Sequence, residues 1–443
     1  MTASFPRRQS HAKPHWKPAV LTLIVLGIPS PSAADGTCAD AAWVTAWTAP
    51  PSNMAQGLHL FGPNQTFREI ISPLGEGGTL RLRLSNRYGH RPAVFSTVRL
   101  ARQAVGASIV TGSSTPVLFN GRTSLVIPAG KEAFSDPVQF KFQALEHLAV
   151  SMAVKDTGGL PTSHADARQY SYMTYPGTGA HADDMGGDAF VQRTTSRHYI
   201  IGMDALAPSG TPAVVALGSS TTNGAQMENL LRANSTTIGL DTRYPDFLKR
   251  KLDALGIPAF LANAGISGNQ VTAEPPLMGL FAGPSALARL DKDVLSLSGV
   301  KTVILFEGMN DITSAIVLKG KSPGEITQTL IAGYTTLIRR LQDQGIRVIH
   351  ATLTPIGNSA IYTLSDRKAA LLKQARHDVN AWIRHQSPAE GMADFDAAIR
   401  DPLNPEALAA AYDGGDGQHF SPAGNQRLAD EVNLQLLQAV RCP

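Results

Sequence analysis

The C-terminal half of the chain alternates short apolar runs with longer amphipathic stretches, and no other feature limits the fold so strongly. Residues 213–217, 259–263, 302–306, 348–353 and 393–395 are small, β-branched or aromatic and read as buried strands. Between and after them, residues 244–255, 285–296, 323–344, 366–385 and 422–440 read as helices. The last of these begins cleanly, with Ser421 in the N-cap position and Pro422 at the first helical position. Strands that alternate with helices imply a parallel sheet covered by helices.

In a parallel sheet all strand C-termini lie on one edge, where such folds hold their ligands. Polar clusters follow the predicted strands directly. The first is Gly218-Ser219-Ser220-Thr221-Thr222-Asn223-Gly224, which places a hydroxyl at the end of a buried strand. The second runs from Asn263 through Gly265, Ser267 and Gly268 to Asn269, and the third is Glu307-Gly308-Met309-Asn310-Asp311. Near the chain end, Asp416-Gly417-Gln418-His419 precedes the last helix. An Asp three residues before a His can accept from one ring nitrogen and fix the tautomer that leaves the other free as a base. Each cluster alone has an ordinary explanation: a Ser-rich turn, a helix cap, a surface loop, glycines that permit tight turning. Together they supply the parts of acyl transfer, namely a hydroxyl, a base, an orienter and donors for an oxyanion.

From about residue 213 to the C-terminus the chain resembles the SGNH (GDSL-type) hydrolases, secreted forms of which often carry an extra β domain. The usual Gly-Asp-Ser block reads Gly218-Ser219-Ser220 here, with the spacing from Ser220 to Gly224 in register. The resemblance implies that Ser220 is the nucleophile, and that Asp416 and His419 complete the triad. It also implies an oxyanion hole formed by the backbone N–H of Ser220, the backbone N–H of Gly268 and the amide of Asn310, the last within the Gly-x-Asn-Asp block Gly308–Asp311. The departure is Ser219, where the family usually has Asp. That Asp is not the nucleophile, so the mechanism is preserved, while the packing and rate of the site are affected. The expected fold is a three-layer α/β/α SGNH-type hydrolase domain with a parallel sheet, preceded by a β-sandwich domain.

The first half has β texture. Residues 79–85 alternate strictly and stop at Asn86-Arg87-Tyr88-Gly89; residues 138–142 alternate again, and 148–154 follow as an apolar run. Short strands punctuated by Gly and Pro suggest a β-sandwich. The stretch Arg81-Leu82-Arg83-Leu84-Ser85-Asn86 is also similar to the leading domain of two-domain bacterial members of the family. Residues 161–190 are polar, Gly-rich and weakly patterned, and read as a long loop region. Pro208-Ser209-Gly210 reads as a linker.

Residues 1–34 have the pattern of a secretory signal peptide: Arg7, Arg8, Lys13 and Lys17, an apolar run at 19–26, then Ser32-Ala33-Ala34 for cleavage. The apolar run is too short for a permanent membrane anchor. The expected division is therefore 1–34 signal peptide, 35–208 β-sandwich and 209–443 hydrolase domain, in a secreted or periplasmic protein. Removal of 1–34 takes the formal net charge from +4 to zero, which gives no basis for nucleic-acid binding. The two cysteines, Cys38 and Cys442, are expected to pair in an exported protein. The acidic loops at 181–184 and 413–416 offer oxygen ligands but not the spacing of a calcium loop, and no zinc spacing occurs, so no metal and no cofactor are expected. The function expected is a secreted serine esterase that hydrolyses carboxylic esters through an acyl-enzyme, its substrate a small-molecule or polysaccharide ester, with polysaccharide deacetylation as one case. The alternatives are a lipase acting on lipid acyl esters and a non-catalytic carbohydrate-binding protein with a decayed hydrolase domain, the latter motivated by Ser219.

Overall fold

A computed structural model of the chain describes residues 40–52, 59–229, 232–233, 235–274, 282–360 and 365–438. The predicted signal peptide, Cys38 and Cys442 all lie outside the described residues.

Two antiparallel sheets form the N-terminal sandwich. One orders Ala41–Thr48, Ile200–Pro208, Gly77–Ser85 and Glu132–Phe134, with Val138–Phe142 also pairing to Gly77–Ser85. The other is centred on Leu148–Asp156, flanked by Gln65–Ile71 and Ala93–Arg102. The period-2 alternation of residues 79–85 does what the pleat requires. Leu80, Leu82 and Leu84 are buried against Phe67, Phe95, Val150 and Met152 of the facing sheet, whereas Arg81 and Arg83 lie on the other face. Leu148–Asp156 is instead buried on both faces for most of its length, because Ala149 packs outward with Ile70, Ala101 and Ile109 in a second small cluster. That explains why its sequence is a continuous apolar run and not an alternation.

The C-terminal half is a five-stranded parallel sheet in the order Phe260–Gly265, Ala213–Gly218, Val300–Phe306, Arg347–Ala351, Gly391–Ala393. Helices Ala286–Leu290, Pro323–Gln342 and Asp366–Gln386 cover one face; Tyr244–Ala254, Phe395–Ile399 and Pro422–Glu431 cover the other. This is a three-layer α/β/α arrangement preceded by a β-sandwich. The strand order reverses direction at Ala213–Gly218, so the crevice between its C-terminal end and that of Val300–Phe306 is a topological switch point.

Four local readings change. The expected helix at 285–296 is an α-turn, Ala286–Leu290, that widens into a π-turn, Asp291–Leu295. The final helix stops at Glu431, where Val432 is extended and Asn433 caps a separate 3-10 turn at Leu434–Leu437. The strand expected at 393–395 ends at Ala393, because the Asp394 side chain accepts the N–H of Ala397 and starts the helix Phe395–Ile399. The weakly patterned stretch at 161–190 is not bare loop: Ser163–His164 pairs with Arg197–His198, and Ser171–Met173 adds to the edge of Gln65–Ile71.

Candidate active site

The strand Ala213–Gly218 is buried along its whole length, and the chain turns at its end. Ser219 is the N-cap of a single helical turn, Ser220–Asn223, closed by Gly224 in the left-handed region at φ +89. Opening a helix gives Ser220 a backbone N–H without an intrahelical acceptor. Its Oγ lies 2.9 Å from Nε2 of His419. Nδ1 of His419 lies 2.7 Å from Oδ2 of Asp416. The other carboxylate oxygen accepts the backbone N–H groups of Gln418 and His419, at 3.0 and 2.8 Å. Burial pushes the Asp416 carboxyl up, but the hydrogen bonds and charge of His419 outweigh it and hold the group below the usual carboxylate range. An ionised Asp416 keeps the proton on Nδ1, so Nε2 accepts from the Ser220 hydroxyl. The segment carrying this pair runs straight into the final helix, whose N-cap Ser421 accepts the N–H of Gly424.

Gly268 sits in the turn that follows Phe260–Gly265, at φ +78, a conformation open to glycine. That turn is tied to the strand Ala213–Gly218 by Ile266 N–H donating to the carbonyl of Gly218 at 3.0 Å. Among the described residues, neither Ser220 N–H nor Gly268 N–H donates to a protein acceptor. Asn310 lies in the first turn of Met309–Thr313, directly after Val300–Phe306. Its Nδ2 donates one hydrogen to the carbonyl of Asn269 at 2.9 Å, which leaves the second amide hydrogen available. Asn310, Ser219 and Ser220 line one small cavity, whose other walls include Phe306, Leu353 and Ile356. The structure thus brings Ser220, His419 and Asp416 into one hydrogen-bonded chain and sets Asn310 across the same cavity.

Several residues here carry no legible sequence signal. Asn223, buried at the end of the Ser220–Asn223 turn, donates to the carbonyl of Asp166 at 2.5 Å and to Oγ of Ser267 at 3.2 Å. Its Oδ1 faces His164 Nε2 at 3.1 Å. Burial lowers the pKa of His164, against hydrogen bonds to the carbonyls of Pro50 and Asp166 that raise it. The stretch read as loop therefore braces the turn that carries Ser220 from behind. Glu307 is 2 % exposed, and neither of its carboxyl oxygens has a partner. Burial pushes its pKa well above the usual range, so it is an acid kept neutral beside the cavity. No periodicity distinguishes such a Glu from a surface one. The other acid of the 413–416 loop, Asp413, serves folding: its Oδ1 accepts the N–H groups of Gly415 and Gly417. Among the described residues no cluster of three His, Cys, Asp or Glu could hold a metal ion. No helix among them is long and apolar enough to cross a membrane.

Residues 216–427 match the GDSL-like Lipase/Acylhydrolase family. No curated protein matches the chain. Similar solved structures include an acetyl xylan esterase, AlAXEase, 20 % identical over 49 % of this chain and 96 % of that one, with a TM-score of 0.34. An inhibitor-bound aryl esterase from M. smegmatis is 16 % identical over 49 % of this chain and 95 % of its own, with a TM-score of 0.36. Est24, a carbohydrate acetylesterase from Sinorhizobium meliloti, is likewise 16 % identical over 49 % and 95 %, with a TM-score of 0.36. The matched span begins inside the strand that presents Ser220 and ends beyond His419, so the hydrogen-bonded chain of Ser, His and Asp lies within the stretch, residues 216–427, that matches the GDSL-like Lipase/Acylhydrolase family.

Proposed function

We propose that the protein is a secreted serine esterase that cleaves carboxylic esters through an acyl-enzyme. The observation that carries this is the unbroken chain from Ser220 Oγ to His419 to Asp416, at 2.9 and 2.7 Å. His419 takes the proton of Ser220 as Oγ attacks the ester carbonyl, and the imidazolium is stabilised by Asp416. The tetrahedral oxyanion is held by the N–H groups of Ser220 and Gly268 and by the free amide hydrogen of Asn310. His419 then returns its proton to the leaving alcohol, and water, activated by the same base, releases the acid. No cofactor enters this cycle.

The small, partly apolar cavity beside Ser220 suits a short acyl group, and acetyl esters of a polysaccharide are the substrate class we favour. An assembled triad, with His419 hydrogen-bonded to Asp416 through one ring nitrogen and to Ser220 through the other, supports catalysis over a decayed, carbohydrate-binding domain. A fluorophosphonate probe tests this, because only an activated serine reacts. Labelling is expected in the wild type and in Ser219→Ala, and absent in Ser220→Ala; a labelled Ser220→Ala variant would place the nucleophile elsewhere. Turnover of acetylated glycans should exceed that of longer acyl chains, and the reverse preference would make the protein a lipid acylhydrolase.

A further inference from the structure

The arginines of the Gly77–Ser85 strand and its following turn are not absorbed by the triad, yet they lead to it. Arg83 and Arg87 both bind Glu132, with Arg83 Nε 2.9 Å from Oε2 and Arg87 Nη2 2.9 Å from Oε1. Arg87 reaches out of the sandwich with Nη1, which lies 2.8 Å from Oδ1 of Asp293 on the π-turn. Oδ2 of Asp293, 3.8 Å from Arg289 Nη1, faces the second guanidinium of the chain. Arg87 side chain is 8 % exposed, Asp293 2 % and Arg289 1 %. Arg289 donates to three groups at the catalytic edge: the carbonyl of Gly218 at 3.2 Å, the carbonyl of Ala264 at 2.8 Å and Oδ1 of Asn269 at 2.9 Å. Those are the end of the nucleophile strand, the end of its neighbour, and the residue whose carbonyl accepts from Asn310.

We propose that the β-sandwich sets the geometry of the oxyanion hole through this buried relay, with Arg87 and Arg289 as positioning residues. The inference rests on the esterase reading above. Asp293 lies between two cations, and the closer one is Arg87. While Arg87 occupies Oδ1, Arg289 stays on the two carbonyls and Asn269. Without Arg87, the whole field of a buried carboxylate acts on Arg289, whose pull toward Asp293 competes with its grip on Gly218, Ala264 and Asn269. The donors at Gly268 and Asn310 then shift relative to Ser220. Because these donors bind an oxygen that is negative only in the transition state, the loss falls on kcat and not on KM.

The test uses the full chain and an activated acetyl ester. Arg87→Met should lower kcat by about 10- to 100-fold, with KM nearly unchanged, as a small misplacement at a distance can. Adding Asp293→Asn to Arg87→Met removes the unbalanced carboxylate and should recover most of that loss. A merely structural Arg87 would lower thermal stability with kcat intact, and either that result or a failure of the double variant to recover activity overturns the relay. If Arg87→Met does not fold, Arg87→Lys decides: a lysine cannot fork between Glu132 and Asp293, so kcat should fall several-fold at unchanged KM, and a wild-type kcat overturns the proposal. A wild type inert toward esters and toward fluorophosphonate sinks the functional reading and the relay with it. An active wild type with an unaffected Arg87→Met sinks the relay alone.

Discussion

Asn310 is the residue whose role separates catalysis from folding most cleanly. One amide hydrogen is used by Asn269, and the other is free for an oxyanion. Asn310→Ala should therefore lower kcat by on the order of 10² to 10³, about 3 to 4 kcal/mol of transition-state stabilisation, with KM little changed. Steady-state kinetics check this, and a variant that lost stability but kept kcat would make Asn310 a structural brace of the turn. Its neighbour Asp311 behaves differently. Burial raises its pKa to about 6, against hydrogen bonds from the N–H groups of Val271 and Thr272 that lower it. A carboxyl with a raised folded pKa takes up its proton more readily in the folded state. Its contribution to stability is thus full below the ordinary carboxyl value of 3.8 and is lost as pH rises through about 6. The stability difference between the wild type and Asp311→Asn should change most between those two values in denaturation measured across pH, and a flat difference would mean that Asp311 titrates as an ordinary surface acid. Ser220 was legible because it follows a readable strand, and Asp416 and His419 because they precede a readable helix start at Ser421 and Pro422. Asn223, Glu307 and Arg289 were not, since what marks them is burial among polar atoms, and burial of a single polar residue leaves no periodic trace.

At the scale of elements, the sequence is most readable where a start signal and a period agree. Pro323–Gln342 has both: Ser322 and Glu325 form a reciprocal capping box, and the apolar period runs through Ile326, Leu330, Leu337 and Leu341. The π-turn at Asp291–Leu295 was not readable, because one widened turn leaves no period of its own; just beyond it Thr45 N–H donates to the carbonyl of Ser298, and Ser298 N–H to the Thr45 hydroxyl. The turn entering Met309–Thr313 depends on Gly308 at φ +131. A Cβ there would press on the hydroxyl of Tyr334, which donates to the carbonyl of Glu307 at 2.6 Å. Tyr334 is fully buried against Trp382 and His350 and has no room to retreat. Gly308→Ala should cost about 2 to 4 kcal/mol, from backbone strain and overpacking together. Equilibrium denaturation measures it, and a loss under about 0.5 kcal/mol, the size of an ordinary surface change, would mean that the turn relaxes freely.

At the scale of the whole molecule, the two textures of the sequence suggested two units joined at Pro208-Ser209-Gly210, and the contacts across that join are what sequence could not supply. The connection is short, with Thr211 N–H donating to the carbonyl of Pro208. Around it the sandwich and the parallel sheet share main-chain hydrogen bonds: Thr45 to Ser298 at 3.0 Å, and Leu261 to Leu74 at 2.9 Å, while Leu74 in turn donates to Ala46 at 2.7 Å. Ala213 and Phe260, from the parallel sheet, belong to the same buried cluster as Val44, Trp47 and Leu80 of the sandwich. Opening this seam would expose that apolar surface together with the ion pairs of Arg87 and Asp293, so neither half has a cheap intermediate to stop at. Denaturant unfolding should therefore be a single transition, coincident by tryptophan fluorescence and by far-ultraviolet circular dichroism, and esterase activity should vanish within it. Two separated transitions, with activity surviving the first, would show that the α/β layer holds its site without the sandwich and that the shared seam contributes little.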